Sequence, residues 1–178
     1  MKRLKVTATE VKCSDPQDPR YDELYFMVAT DGKNSVSKAL RRIKRGTVIK
    51  RRVVIFDDDV NENSPILITA VEQRAIRDRC AAAELMEKLA NQGLALAKHR
   101  LSADPAGAEN VWVQVGTFLL DGLVGLAKVV FGDSPLMTKV ITEPYAEDVA
   151  YPVSYVMKGH SDTRPTYDYE AQIEVAYS

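Results

Sequence analysis

Oxygen-bearing side chains gather in two short stretches of this sequence, and the chemistry they suit is that of a hard cation. The first stretch holds Asp15, Asp18, Asp22 and Glu23; the second, from Asp57 to Ser64, holds Asp57, Asp58, Asp59, Asn61, Glu62 and Asn63. Ca²⁺ takes roughly 6–8 oxygens at about 2.3–2.6 Å from carboxylates, amides, carbonyls and water. One stretch rarely supplies that many, so a Ca²⁺ site needs both stretches at one end of the molecule. Crowded carboxylates repel one another unless a cation neutralises them, which favours a metal. The competing reading is that each carboxylate points separately into water.

Other metal and nucleotide chemistries fare worse. Asp57, Asp59 and Asn61 match the first, third and fifth ligands of an EF-hand loop. Glu62 stands where that loop needs glycine, and Ile68 where it needs a bidentate glutamate. The run from Val53 to Asp59 has no phosphate-binding glycine loop to serve. Zinc lacks a ligand set: Cys13, Cys80, His99 and His160 are far apart in sequence and form no paired spacing. Two cysteines cannot make a disulfide framework, and they read as reduced core thiols. His99 falls on a predicted helix and His160 in a polar loop, and neither belongs to a catalytic constellation. The expectation is a protein that is not an enzyme.

A second charged feature is basic. Lys38, Arg41, Arg42, Lys44, Arg45, Lys50, Arg51 and Arg52 fall within one stretch that holds no acid. Such a stretch suits an anionic membrane surface or an acidic protein partner, with each cation adding about 1 kcal/mol near anionic lipid. The plainer alternative is the wet face of a strand pair, or an internal counterweight to the acidic stretches. Few aromatics interleave with these charges, so no nucleic acid is expected. The net charge of −1 agrees.

The elements that must position these residues follow from pattern. Leu4, Val6 and Val11 mark a first strand, with a polar loop from Ser14 to Asp22. Glu23–Thr30 is apolar on both faces, as a strand covered on both sides would be. Thr47–Phe56 reads as a strand, Asp57–Ser64 as a loop, and Pro65–Val71 as a short strand or a lead into helix. From Glu72 to Leu101 the composition turns to good helix formers, with one apolar stripe from Ile76 to Leu101 and a local weak point at Gly93. Asp104 and Pro105 open a second helix and Gly132 closes it. That helix, Val111–Phe131, is apolar nearly all round, which predicts burial on every side. Its length approaches a membrane span, but Asp121 and Lys128 oppose one. Gly116, Gly122 and Gly125 predict close packing against the first helix. Tyr167–Tyr177 alternates strictly and predicts a half-buried strand.

At 178 residues, 46% hydrophobic and 28% charged, the chain can bury a full core. The fold class expected is α+β: an antiparallel β-sandwich from residues 1–71 and 133–178, interrupted by an αα-hairpin over 72–132, all in a single domain. The basic start, Met1-Lys2-Arg3-Leu4-Lys5, lacks the apolar run of a secretory signal, which points to cytoplasmic synthesis.

The order of strand, acidic stretch, Asp22-Glu23-Leu24-Tyr25, basic stretch and Phe56-Asp57-Asp58-Asp59 resembles the calcium-binding β-sandwich domains of the C2 type. The resemblance covers about residues 1–70 and, more loosely, 133–178. It implies Ca²⁺ ligands from Asp15 or Asp18 with Asp22 in one loop, and from Asp57 and Asp59 in another. Asp133, where the sandwich resumes, would return beside them. The function this implies is a Ca²⁺-ordered module for membrane-surface or protein contact. The alternatives are a membrane-active, toxin-like protein using the helical hairpin, and a metal-independent structural or assembly protein, with homo-oligomers compatible with each. The helical insertion departs from the family's pattern and sets the hairpin beside the proposed metal loops.

Overall fold

The computed structural model of the chain describes residues 2–61, 64–72, 79–103, 107–130, 136–142, 152–162 and 166–178. Two antiparallel sheets form a sandwich. The first contains β1 (Lys2–Asp15), β5 (Thr47–Ile49), β6 (Val53–Val60), β9 (Val153–Ser161) and β10 (Tyr167–Tyr177). Its order is β5–β1–β10–β9, with β6 sharing the β5 side of β1. The second contains β2 (Asp22–Thr30), β3 (Lys33–Val36), β4 (Leu40–Ile43), β7 (Ile66–Glu72) and β8 (Met137–Ile141). Its order is β3–β2–β7–β8, with β4 sharing the β3 side of β2.

Two helices, α1 (Arg79–Ala103) and α2 (Ala108–Val130), lie between β7 and β8 in the sequence and cover the outer face of the second sheet. The alternation of β2 explains why one strand serves two cores. Leu24, Phe26 and Val28 face the first sheet, while Tyr25, Met27 and Ala29 face the helices. All six are buried, and β7 is buried along its whole length. Fully burying one large apolar side chain is worth roughly 1.5–3 kcal/mol, so β2 and β7 anchor both layers. The doubly apolar pattern of Glu23–Thr30 therefore has its expected cause. The expected alternation of the last strand holds too: Tyr167, Tyr169, Ala171, Ile173 and Val175 of β10 are buried.

Several expectations change. The loop expected over Asp57–Ser64 begins as strand, because β6 runs through Asp57, Asp58 and Asp59 to Val60. The single strand expected over Thr47–Phe56 is two strands, β5 and β6. Ser14 and Asp15 end β1 rather than opening a loop. His160 lies on β9. The expected helix signals at Asp104, Pro105 and Gly132, the stripe residue Ile76, and Asp133 with Glu62 and Asn63 lie outside the described residues.

The burial expected all round α2 holds on one face only. Val111, Val115, Leu119 and Leu123 are buried at steps of four, while Val113 is 64% exposed and Phe118, Leu120 and Val124 are also open. The helix pair meets closely at two glycines. A Cβ on Gly93 would lie 2.5 Å from the Leu119 side chain, and one on Gly122 would lie 2.6 Å from Leu89. Gly93 is thus a packing requirement of α1. Gly116 faces Thr142, and Gly125 has open space beside it. No helix among the described residues is long and apolar enough to cross a membrane.

Candidate functional site

The register of β1 decides where the two acidic stretches stand. Lys5 pairs with Asp57 and Arg3 with Asp59 at the start of β1, while Asp15 ends the same strand. From Lys5 to Asp15 the strand spans roughly 30 Å at about 3.3 Å per residue. The acidic stretches therefore lie at opposite ends of the sandwich, and no single ion can take ligands from both. The arrangement that a shared Ca²⁺ site needs, both stretches at one end, is corrected by this register.

At each end most of these carboxylates already have partners, although none is recorded for the Asp59 or Glu23 side chain among the described residues. Asp57 accepts from Arg3 Nε at 2.7 Å and lies 3.8 Å from Lys5 Nζ. Asp58 accepts from Lys33 Nζ at 2.9 Å, and Lys33 also reaches the Asp59 carbonyl. These cations hold the Asp57 and Asp58 carboxyls below the usual aspartate range. The cross-strand pairing explains why three aspartates, poor strand formers in isolation, belong to β6: Arg3 and Lys5 of β1 stand opposite or diagonal to them, and Lys33 reaches across from β3 of the other sheet. Asn61 donates from its backbone N–H (2.7 Å) and its side-chain amide (2.8 and 2.9 Å) to Asp31. Asp31 was not among the candidates. It takes φ = 44°, a left-handed turn conformation that aspartate tolerates better than most residues.

At the other end Asp22 is fully buried. Its two oxygens accept the backbone N–H groups of Gln17 (2.7 Å) and Asp18 (2.8 Å) and the hydroxyl of Tyr169. The tyrosine lies on β10 of the opposite sheet, so this carboxylate pins the β1–β2 connection to both layers. Burial and the Asp22 carboxylate push the Tyr169 hydroxyl far above its ordinary pKa. Cys13 sits beside it, buried, with its thiol pushed up by the same desolvation. Asp18 accepts from the Arg20 N–H at 2.8 Å, and Asp15 pairs with Arg45, which lowers its pKa. Glu23 is partly buried on β2. No group of three or more metal-ligating side chains comes together among the described residues.

The basic stretch divides in two. Arg45 pairs with Asp15, Lys50 lies 3.8 Å from Glu10, and Arg52 pairs with Glu174 at 2.6 Å. These three fit the plainer reading, since they balance acids on the first sheet. Lys38, Arg41, Arg42, Lys44 and Arg51 are exposed, and their side chains have no hydrogen-bond or ion-pair partner among the described residues. All five lie along the edge where the chain passes from β4, flanking β2, to β5, flanking β1. That passage is held by Gly46 N–H to the Cys13 carbonyl at 2.8 Å and by Lys44 N–H to Thr47 Oγ1 at 2.9 Å.

A bulge shapes this edge. Asp22 pairs with Ile43 and Leu24 with Leu40, so β4 carries one residue more than its partner. In a regular strand, residues three apart face opposite ways. The extra residue lets Leu40 and Ile43 both enter the core and turns Arg41 and Arg42 both outward. Arg42 takes φ = 60° to do so, a left-handed conformation costing a non-glycine residue roughly 1–2 kcal/mol. Val48, 51% exposed on β5, adds apolar surface between Lys44 and Arg51.

No family model and no curated protein matches the chain.

Proposed function

We propose that the chain is a non-enzymatic docking module that engages an anionic membrane surface through its basic edge and needs no bound cation to do so. The observation that carries this reading is the set of five exposed cations with no partner among the described residues, two of them turned outward together by the strained bulge at Arg42. Adjacent guanidiniums suit phosphate and carboxylate headgroups through forked hydrogen bonds. The exposed Val48, which lies between Lys44 and Arg51 in the sequence, suits the apolar fringe of a bilayer better than a nucleic acid, which would call for stacking aromatics. Metal independence is supported by Asp57, Asp58 and Asp15, whose charges are met by Arg3, Lys33 and Arg45, and by Asp22, whose oxygens accept from protein donors.

Co-sedimentation with phosphatidylserine–phosphatidylcholine vesicles tests the proposal. Each of Lys38, Arg41, Arg42, Lys44 and Arg51 replaced by Gln should weaken binding about fivefold, as about 1 kcal/mol per cation requires. Lys50→Gln and Arg52→Gln, which remove paired cations, should change it less. Equal binding to vesicles of phosphatidylcholine alone would contradict the reading, and tighter binding to RNA than to vesicles would redirect it.

A further inference from the structure

A cleft of about 650 Å³ opens near the tip of the hairpin, where the last turns of α1 and the first turns of α2 diverge. Its apolar lining comes from Leu96 and Ala103 of α1 and Val111 of α2. Its polar lining comes from His99, Arg100, Asn110 and Gln114. None of these four side chains has a hydrogen-bond or ion-pair partner among the described residues. Small-molecule clefts typically have this make-up, an apolar lining with a few converging polar groups, and this volume. The polar groups here are biased to donors, with a guanidinium, an imidazole and two amides. The backbone N–H groups opening α2 add partial positive charge at the same place.

We propose that this cleft binds a small amphiphile with an anionic head, a carboxylate or sulfonate, whose apolar body lies on Leu96, Ala103 and Val111. Arg100 receives the head as a charge-assisted pair, and the Asn110 and Gln114 amides complete its hydrogen bonds. The cleft is formed by the helix pair, whereas the basic edge is formed by β4, β5 and their flanks, so either can fail without the other.

The probe is 8-anilinonaphthalene-1-sulfonate, titrated into the full chain and followed by fluorescence. Saturable binding of one dye per chain is expected. Arg100→Ala should weaken it at least tenfold, and Arg100→Lys should restore part of the loss. Leu120→Gln, on the exposed outer stripe of α2, should leave it unchanged. Octanoate should displace the dye, and a trimethylammonium amphiphile of similar length should not. Circular dichroism of Arg100→Ala checks that the exposed substitution leaves the fold intact. Non-saturable fluorescence, displacement by the cationic amphiphile, or loss of binding in Leu120→Gln but not in Arg100→Ala would overturn the proposal.

Discussion

Asp22 shows how differently one carboxylate reads in sequence and in structure. By type and position it is a cation ligand; in the fold it is a buried acceptor for two backbone N–H groups and the Tyr169 hydroxyl. An aspartate in a polar stretch carries no signal of which strand, distant in sequence, will bring it a hydroxyl. Tyr169→Phe leaves that buried carboxylate one donor short, and urea denaturation should show a loss of about 1–3 kcal/mol. An unchanged midpoint would mean the hydroxyl contributes nothing. Arg42 supports the opposite experiment. Its left-handed backbone costs roughly 1–2 kcal/mol, and the extra backbone freedom of glycine costs about 0.5–1 kcal/mol. Arg42→Gly should therefore be as stable as the parent or up to about 1.5 kcal/mol more stable, yet bind anionic vesicles less well. A destabilised Arg42→Gly protein would show that the side chain, and not the backbone, sets the balance there.

Among the elements, β2, β10 and the helical hairpin were legible, because period two, double-sided apolarity and a run of helix formers each have one structural solution. The elements that misled are those whose local preference is overridden. β6 was hidden by three aspartates, and its counterions lie on β1 and β3. The sequence beginning Lys2-Arg3-Leu4-Lys5 held the compensating charges, but nothing local set the register. β4 was hidden because a bulge breaks its alternation: Leu-Arg-Arg-Ile has no strand period until one residue is discounted. α2 is apolar on two faces but covered on one, and composition cannot say which. Neighbouring residues separate those faces. Leu119→Ala, beneath α1 and against Gly93, should cost about 2–5 kcal/mol. Leu120→Gln, on the open side, should stay within about 0.5 kcal/mol. Equal costs in thermal denaturation would mean that the outer face is covered.

Among the described residues of the two sheets, opposite charges are matched at many positions, and five cations along the β4–β5 edge have no partner. Lys12 bridges Glu10 (3.0 Å) and Glu170 (3.1 Å), and Arg52 meets Glu174. The carboxyls of Asp15, Asp57, Asp58 and Glu170 are held below their ordinary pKa by their cationic partners. A carboxyl with a depressed folded pKa stabilises the fold fully above its unfolded value, and that stability is lost as pH falls through the folded one. Melting temperature should thus fall below about pH 4, and the fall should shrink in an Asp57→Asn, Asp58→Asn variant and in high salt. A melting temperature indifferent to pH over this range would show these pairs to be energetically silent, as many exposed pairs are. The same pairing bears on the protein's role. Asp15, Asp22, Asp57 and Asp58, which suggested Ca²⁺, are answered internally at opposite ends of β1, while five cations on the β4–β5 edge have no partner among the described residues.

The measurement that tests this account most directly is vesicle binding in EDTA against millimolar Ca²⁺. Phosphatidylserine vesicles should sediment the protein equally in both, and a protein carrying Gln at Lys38, Arg41, Arg42, Lys44 and Arg51 should remain in the supernatant. Binding that appears only with Ca²⁺, or that survives loss of all five cations, would contradict it.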